Sequence, residues 1–512
     1  MSAPGLSRKM AGGAAWMVSA RMVMRLSGLI NVIIVARLLP PADFGVVGLT
    51  VAFIGAFEAM SDMSVNTALV RHPDPQRKHY DTVFTFMMLR GVLLAGIALL
   101  AAEPMAAFYG DERLVIVAYA LAAQQLLFAV VNPGIADFQR DFDFRRDFAF
   151  LAIRKLASTV VCVSVALTIW PDYRALVAGL IAGTVATLLA SYILSPYRPR
   201  PSLAAFGEIF GFSKWMLVTN LLRFAQHRLD TFILGKTLGL TALGFYTIAL
   251  ELANLVSTEF AMPLRRAFMP GYAKLQDDIA GLRAQFGSAY GAAMLIAVPF
   301  AVGVSLVAEP AIRLAFGDGW EAAVGPMRVL AANGLALASV AFCWPVIIAM
   351  GEPRKLAPLQ ILSLIVGGPS IWWASTEFGL VGAAWAMVGM STLYAALVMR
   401  VALTLMRSDT LIVLRWLPRV LCATLAMAVC VRMVQAGLPP ITGAASAAVV
   451  FIGTGVTGAA SYPVALLGLW WMAGKPVGPE STVLSLVGQV VPRLARSQEK
   501  ILRPGRRPHA GG

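Results

Sequence analysis

Long apolar runs recur along almost the whole chain, and they constrain its fold more than any other feature of the sequence. Each run is close to the roughly 20 residues that an α-helix needs to cross a bilayer. Of the 512 residues, 58% are hydrophobic and only 13% are charged, whereas a soluble protein keeps about a quarter of its residues charged. Hydrocarbon offers no partner to open strand edges, and the runs are too long and too uniformly apolar for barrel strands. We therefore expect an all-α, polytopic membrane protein.

The ends of the apolar runs predict about fourteen membrane-spanning helices. They lie near residues 12–36, 44–70, 80–102, 114–136, 147–170, 175–195, 209–235, 242–264, 285–308, 325–350, 356–376, 379–405, 411–433 and 441–472.

The charge of the connecting segments predicts which way the chain is inserted. If the N-terminus is cytoplasmic, the segments on that side hold 27 lysines and arginines. The segments on the other side hold six, which are Arg37, Arg113, Arg174, Lys236, Arg313 and Arg432. Cytoplasmic loops carry such an excess of basic residues, so we expect both termini in the cytoplasm. The same bias accounts for the net charge of +15, and we expect no nucleic-acid partner.

An internal repeat relates the first span to the seventh at a constant separation of 199 residues. The matched residues are Gly12, Trp16, Met17, Ile34, Leu39 and Gly45, paired with Gly211, Trp215, Met216, Ile233, Leu238 and Gly244. An even number of spans per repeat gives both copies the same orientation, which is a parallel repeat of the kind that transporters use. We therefore expect a lobe over 1–200, a second lobe over 201–408, a helix pair over 409–472 and a basic cytoplasmic tail over 473–512.

Nine basic residues lie in or at the edge of predicted spans, where a charge at the bilayer centre costs about 3 kcal/mol. They are Arg21, Arg25, Arg90, Arg154, Lys155, Arg223, Arg228, Arg328 and Arg400. Arg400, Arg154 and Lys155 are close enough to helix ends for their charged groups to reach the interface. Arg21 and Arg25 lie deeper and share a helical face with Gly28.

Polar side chains form stripes along the corresponding spans of the two predicted lobes. They are Asn220, Arg223, His227 and Asp230 on span seven, Glu58, Asp62 and Asn66 on span two, and Glu251, Asn254, Thr258 and Glu259 on span eight. Each set recurs at helical spacing and so shares a face. Facing stripes predict a water-filled cavity between the lobes. The alternative is that the charges pair and lock the helices together, for instance Arg25 with Asp62. His227 is either a hydrogen-bonded core residue or a proton carrier.

A cavity rich in arginine is suited to an anionic substrate, because the guanidinium group binds phosphate through two hydrogen bonds and stays charged. A phosphate head on a lipid tail also satisfies the apolar surroundings. The candidate substrate-binding residues are Arg21, Arg25, Arg90, Asn220, Arg223 and Arg228. The candidates for charge pairing or proton coupling are Glu58, Asp62, His227, Asp230, Glu251 and Glu259.

The sequence carries no pattern that predicts a cofactor. No GxxxxGK[ST] motif occurs, so we expect no ATPase activity of its own. The four cysteines lie in apolar runs without the spacing of metal ligands, and we expect neither a metal site nor a disulfide.

One stretch resembles a known transporter family. "ARLLPPADFGVVGLTVAFIGAFEAMSDMSVNTALVRHPD" is similar to the first loop and second span of polysaccharide-exporting flippases. The resemblance is carried by Arg37, Leu38, Leu39, Pro41, Phe44, Gly45, Asp62, Ala68 and Leu69. "ALGFYTIALELANL", at 242–255, resembles their eighth span. The similarity covers spans one to about twelve and indicates the polysaccharide transporter (Wzx-like) branch of the multidrug/oligosaccharidyl-lipid/polysaccharide exporter superfamily.

That resemblance implies an inner-membrane protein of two six-helix lobes in a V. Such a protein moves an undecaprenyl-diphosphate-linked oligosaccharide from the cytoplasmic to the periplasmic leaflet by alternating access, for exopolysaccharide, capsule or O-antigen synthesis. We expect a transporter and not an enzyme. The expected partners are the lipid-linked anionic oligosaccharide, membrane lipid, a polysaccharide polymerase and a chain-length regulator.

Two other functions stay open. A cation-coupled multidrug exporter of the same superfamily fits the fold, but an arginine-rich cavity would repel cationic drugs. A membrane-embedded glycosyltransferase, polymerase or ligase needs catalytic residues in a sizeable outer loop, and the predicted outer loops are short.

Overall fold

The structure, a computed structural model, describes residues 27–61, 69, 74–141, 143–206, 214–254, 272, 275, 278–414, 417–476 and 480. The regular structure of these residues is helical and contains no strand, which confirms the predicted all-α class. The helices, numbered in chain order, are α1 Ser27–Leu38, α2 Pro41–Ser61, α3 Arg77–Tyr109, α4 Arg113–Ala129, α5 Ala136–Arg140, α6 Phe144–Thr168, α7 Tyr173–Leu194, α8 Lys214–Thr237, α9 Gly239–Ala253, α10 Ile279–Phe316, α11 Val324–Leu330, α12 Asn333–Ala349, α13 Leu356–Leu405, α14 Leu411–Leu414, α15 Leu417–Gly437 and α16 Ala444–Met472.

Several of these helices are suited to a bilayer. Within the described residues, eight are long and apolar enough to cross a membrane, and the number rises to ten if each of two bent pairs is one span. The bent pairs are Arg113–Ala129 with Pro133–Arg140, at 69°, and Asp318–Leu330 with Asn333–Ala349, at 40°. The prediction of a polytopic membrane protein is confirmed, while the count of fourteen spans stays a prediction.

Glycines mark two of the helix boundaries. α3 ends at Gly110, whose φ of 74° is left-handed and whose N–H group donates to Ala106 O, as expected for a glycine at a helix C-terminus. Inside α13, Gly379 has φ 62° and ψ −147°, which separates the two spans predicted at 356–376 and 379–405. A side chain at this position would be strained, so glycine allows the sharp connection.

The chain divides into two compact units. The first takes residues from 1–250, 311–326 and 360–390, and the second takes residues from 251–310, 327–359 and 391–512. α10 and α13 therefore contribute segments to both units. The lobes predicted from the repeat, 1–200 and 201–408, stay a prediction.

In the first unit, small residues let neighbouring helices approach closely. A Cβ atom added to Gly91 of α3 would lie 2.3 Å from that of Ala129 at the end of α4, and one added to Gly179 of α7 would lie 2.7 Å from that of Cys162 in α6. Such small residues are typical of membrane helix pairs, where packing and not water exclusion drives association.

The second unit has a core that joins α10, α12, α13 and α15. Its fully buried members include Phe286, Phe342, Val398 and Ala423. The hydroxyl of Tyr462 on α16 donates to Leu295 O of α10 at 2.6 Å, so the last long helix is tied to the same core.

Candidate functional site

A polar cluster joins α2, α3 and α4 inside the first unit. Arg90 Nε donates to Ser61 Oγ at 2.9 Å, and Arg90 Nη2 donates to the main-chain oxygen of Glu58 at 3.0 Å. The Glu58 carboxylate instead accepts a hydrogen bond from Gln125 Nε2 at 2.5 Å. Two of the predicted site residues, Arg90 and Glu58, thus lie together without forming an ion pair with each other.

Gln125 is a member of this cluster that the sequence analysis missed. It is buried in α4, and its neighbour Gln124 donates to Thr184 Oγ1 of α7 at 3.0 Å. The available signal was the pair of amides inside an apolar run, because a polar side chain at membrane depth needs a partner.

The predicted stripe on α8 is divided between two environments. Arg223, His227 and Arg228 are exposed, whereas Asp230 is buried. Within the described chain, Arg223 and Arg228 form no ion pair with a carboxylate. Asn220 is half-buried and makes an interaction of its own. The exposed arginines are therefore available to an anion.

Asp230 lies in buried surroundings, unlike the exposed arginines of the same helix. Its Oδ1 accepts a hydrogen bond from Thr231 N at 2.8 Å, and its carboxylate lies near the hydroxyl of Tyr246 on α9. In the described structure neither Asp230 Oδ2 nor Tyr246 Oη completes a hydrogen bond, although both side chains are buried. Asp230 is therefore turned toward Tyr246 of α9, and the charge of Arg228 also acts on its carboxylate.

The other predicted site residues are not gathered in this region. Glu251 is exposed at the end of α9, and neighbouring Asn254 accepts a hydrogen bond from Asn333 Nδ2 at 3.4 Å. Four members of the prediction fall outside the described residues; these are Arg21, Arg25, Asp62 and Glu259.

The first turns of α2 and α9 pack against each other through two glycines. A Cβ atom added to Gly45 would lie 1.8 Å from Leu240 O, and one added to Gly244 would lie 1.8 Å from Pro41 O. The separation of 199 residues relates Gly45 to Gly244 and Pro41 to Leu240. The contact of Gly45 with Leu240 and the contact of Gly244 with Pro41 are therefore equivalent under the repeat. We call these four residues the reciprocal crossing.

Two basic residues follow the same symmetry. Arg37, at the end of α1, donates to Ala315 O at 2.8 Å and to Leu314 O in the last turn of α10. Lys236, at the end of α8, donates to Phe108 O in the last turn of α3 at 2.6 Å. The last carbonyl groups of a helix lack intrahelical partners and carry partial negative charge, so each cation stabilises a helix C-terminus.

The sequence carries a signal for the equivalence of these two helix ends. "AEP" occurs at 102–104 in α3 and again at 308–310 in α10, and in both places a Gly-Asp pair follows the end of the helix. The motif extends the repeat to the third helix of each half.

Further polar contacts surround the reciprocal crossing. Arg113 contacts Asp43 at 2.9 Å and Asp111 at 2.7 Å, and the hydrogen bond from Arg113 holds the pKa of the Asp111 carboxyl below its ordinary value. Trp320 Nε1 donates to Ala36 O at 2.8 Å. Together with the caps, these contacts tie the ends of α1, α2, α3, α9 and α10 to one another.

The second unit contains an apolar cavity of about 560 Å³ between α10, α15 and α16. Its lining includes Phe300, Val304, Met427 and Leu466, and its polar contributors include Glu480. Glu480 is 3% exposed, and its carboxylate lies 3.0 Å from Arg419 Nη1. The rest of the surface suits a hydrocarbon chain.

Comparison with known proteins gives consistent results. A family model described as "Polysaccharide biosynthesis protein" matches residues 34–325. The lipopolysaccharide biosynthesis protein WzxC of Escherichia coli (strain K12) is 23% identical over 64% of this chain and 68% of its own. The succinoglycan biosynthesis transport protein ExoT of Rhizobium meliloti (strain 1021) is 22% identical over 79% of this chain and 82% of its own. Among solved structures, the lipid II flippase MurJ in an inward closed conformation superposes with a TM-score of 0.72 at 10% identity, covering 89% of this chain and 99% of that chain, which shows a shared fold.

Proposed function

The chain belongs to the family of polysaccharide biosynthesis proteins, and from this premise we propose that it is a flippase for an undecaprenyl-diphosphate-linked oligosaccharide. It would serve exopolysaccharide, capsule or O-antigen synthesis at a bacterial inner membrane. Similar chains carry names that describe transport or biosynthesis of such polymers. The fold, shared with a lipid flippase, supports the same function.

The observation that carries the substrate assignment is the pair of exposed arginines on α8. Arg223 and Arg228 form no ion pair with a described carboxylate, and an uncompensated cation in a membrane protein is costly unless it serves a ligand. A diphosphate supplies the missing negative charge. The apolar cavity of the second unit supports a lipid-linked cargo, because a hydrocarbon chain can occupy it.

We propose that Arg21, Arg25, Arg90 and Asn220 act with these two arginines in binding the anionic head. The acidic residues and the histidine would position the arginines or take up protons; they are Glu58, Asp62, His227, Asp230, Glu251 and Glu259. Transport would follow alternating access between the lobes 1–200 and 201–408, with both termini in the cytoplasm. A polymerase and a chain-length regulator would receive the product on the other side.

The competing function is the export of cationic drugs. It is disfavoured because the exposed groups on α8 are positive and would repel such a cargo. A polymerase or ligase is disfavoured by the assignment of similar proteins to transport.

The test is translocation of a fluorescent undecaprenyl-diphosphate oligosaccharide by purified protein in proteoliposomes. Wild-type protein should move the lipid, and Arg223→Ala should slow it by roughly tenfold to a hundredfold, since a charge-assisted hydrogen bond contributes about 1.5–3 kcal/mol. Arg400→Ala serves as the matched control, because this exposed arginine on α13 should not contact the head group. In cells, Arg223→Ala should reduce polymer export to a similar extent while the protein stays inserted.

Two outcomes would contradict the proposal. Equal rates for Arg223→Ala and wild type would remove Arg223 from the binding site. Efflux of a cationic dye, without movement of the diphosphate lipid, would favour the drug exporter.

A further inference from the structure

Two adjacent basic residues of α6 have different surroundings. Arg154 is exposed, whereas Lys155 is half-buried. The position of both residues near a helix end predicts that their charged groups reach the membrane interface. The exposed residues of the same helix, among them Leu156, Val160 and Leu167, mark its outward face, and Lys155 does not belong to that face.

The packing of α6 shows what Lys155 faces. Cys162 and Ala166 follow it by seven and eleven residues, which is the same face of a helix. Both are buried in a cluster with Val35 of α1 and with Leu39, the residue that follows α1. Lys155 therefore points toward α1.

A direct contact supports this orientation. A Cβ atom added to Gly28 of α1 would lie 3.3 Å from Lys155 Cε and 3.4 Å from Lys155 Nζ. The separation of 127 residues that relates Gly28 to Lys155 also relates Val35 to Cys162 and Leu39 to Ala166. α1 and α6 thus run side by side in one register, with the ammonium group against the glycine.

No carboxylate among the described residues is paired with this ammonium group. Within the described residues Lys155 forms no hydrogen bond and no ion pair. A cation within a membrane-spanning helix is unfavourable unless a partner or a ligand offsets its charge, and the contact with Gly28 turns this one away from the outward-facing residues of α6. An anion that visits the site would satisfy it.

We infer that Lys155 is a substrate-binding residue that contacts the phosphate of the lipid-linked cargo. The inference rests on the proposed function and adds a residue from α6 to it. Its ammonium group is a compact point charge with three N–H donors, which suits the oxygens of a phosphate group.

The experiment measures binding of farnesyl diphosphate and of farnesol to the detergent-solubilised full-length protein. The variants are Lys155→Met, which keeps the length of the side chain, Lys155→Arg, which keeps its charge, and Arg154→Met as the neighbouring control. Wild-type protein should bind the diphosphate more tightly than the alcohol. Lys155→Met should weaken diphosphate binding about tenfold and leave farnesol binding unchanged, while Lys155→Arg should retain most of the affinity and Arg154→Met all of it.

The possible failures are distinguishable. If wild type prefers the diphosphate but Lys155→Met binds it equally well, the inference is wrong and the proposed function stands. If wild type shows no preference for the diphosphate, the proposed function itself fails. Equal losses for both ligands, or a loss in Lys155→Arg as large as in Lys155→Met, would indicate a packing role and also overturn the inference. The melting temperature of each variant, measured without ligand, separates unfolding from loss of binding.

Discussion

At the scale of single residues, three arginines have three different surroundings. Arg37 binds the carbonyl groups at the end of α10, Arg113 binds the carboxylates of Asp43 and Asp111, and Arg223 has no described carboxylate beside it. The first two stabilise the fold. Only the third is free to bind a charged ligand, so the partner and not the residue type decides the role.

The bond between Gln125 and Glu58 allows a test at this scale. Gln125→Ala should destabilise the protein by about 1–3 kcal/mol, because the carboxylate of a partly buried Glu58 loses its donor. A double-mutant cycle with Glu58→Ala measures the coupling through thermal unfolding. Gln124→Ala is the control, and the coupling between Gln124 and Glu58 should be near zero. Additive effects of Gln125→Ala and Glu58→Ala would show that the bond contributes nothing.

The sequence placed Arg90 and Glu58 in the candidate site but could not identify their partners. Spacing along a helix shows which residues share a face, and it says nothing about the neighbouring helix that meets this face. Asp230 illustrates the limit: it lies on the predicted stripe with Arg223, yet it is buried beside Tyr246. An α-helix has about 3.6 residues per turn, so residues at i, i+3, i+7 and i+10 do not lie on one exact line. They form a stripe wide enough for one edge to be exposed and the other to be buried.

At the scale of helices, the reciprocal crossing is made by main-chain atoms. Gly45 and Gly244 each lie against a carbonyl oxygen that leaves no room for a Cβ atom. Any larger residue at either position must push α2 and α9 apart.

Replacing either glycine should therefore have the same effect. Gly45→Ala and Gly244→Ala should each destabilise the protein by at least about 1–3 kcal/mol, the usual cost of overpacking. Gly96→Ala in α3 is the matched control, because an added Cβ atom there meets nothing within 4 Å. The melting temperatures of the three variants check this. A lowered value for only one of the two crossing glycines would contradict the equivalence.

Most of the helices could be predicted from the apolar runs, since membrane helices must be long and apolar. The bends were not predicted. Asn132 accepts a hydrogen bond from Gly134 N and redirects the chain between α4 and α5. The Asn-Pro-Gly sequence at 132–134 is a turn signal, but the span predicted over 114–136 runs through it because the residues before it are apolar. The repeat is evident from the sequences of α1 and α8. Its extension to α3 and α10 rests on the short AEP motif together with the equivalent caps that the structure shows.

At the scale of the whole molecule, the two capping cations and the reciprocal crossing close one end of the helices of the first unit. In the proposed orientation this is the periplasmic end. In the proposed alternating access this end opens once per cycle, and we expect the caps to control how often it opens.

The caps can be tested with a buried reporter. Thr50 of α2 is fully buried, and Thr50→Cys, in a chain without its native cysteines, should react slowly with an impermeant maleimide. Arg37→Ala and Lys236→Ala should each raise the rate several-fold, because each removes a charge-assisted bond to a helix end worth about 1 kcal/mol. Arg174→Ala, an exposed arginine of α7, is the control. An increase for only one capping variant would show that the ends are not equivalent.

The pairing of Gly45 with Leu240 and of Gly244 with Pro41 has a consequence for the origin of the chain. Each half of the contact places the glycine position of one repeat against the Pro41 or Leu240 position of the other. Such a contact is isologous, which is the form that homodimers take about a twofold axis. Two separate copies of an ancestral half could therefore have assembled through this surface before one gene encoded both. Fusion would then have kept an interface that already existed, and the later divergence of Arg37 and Lys236 preserved the positive charge on each side.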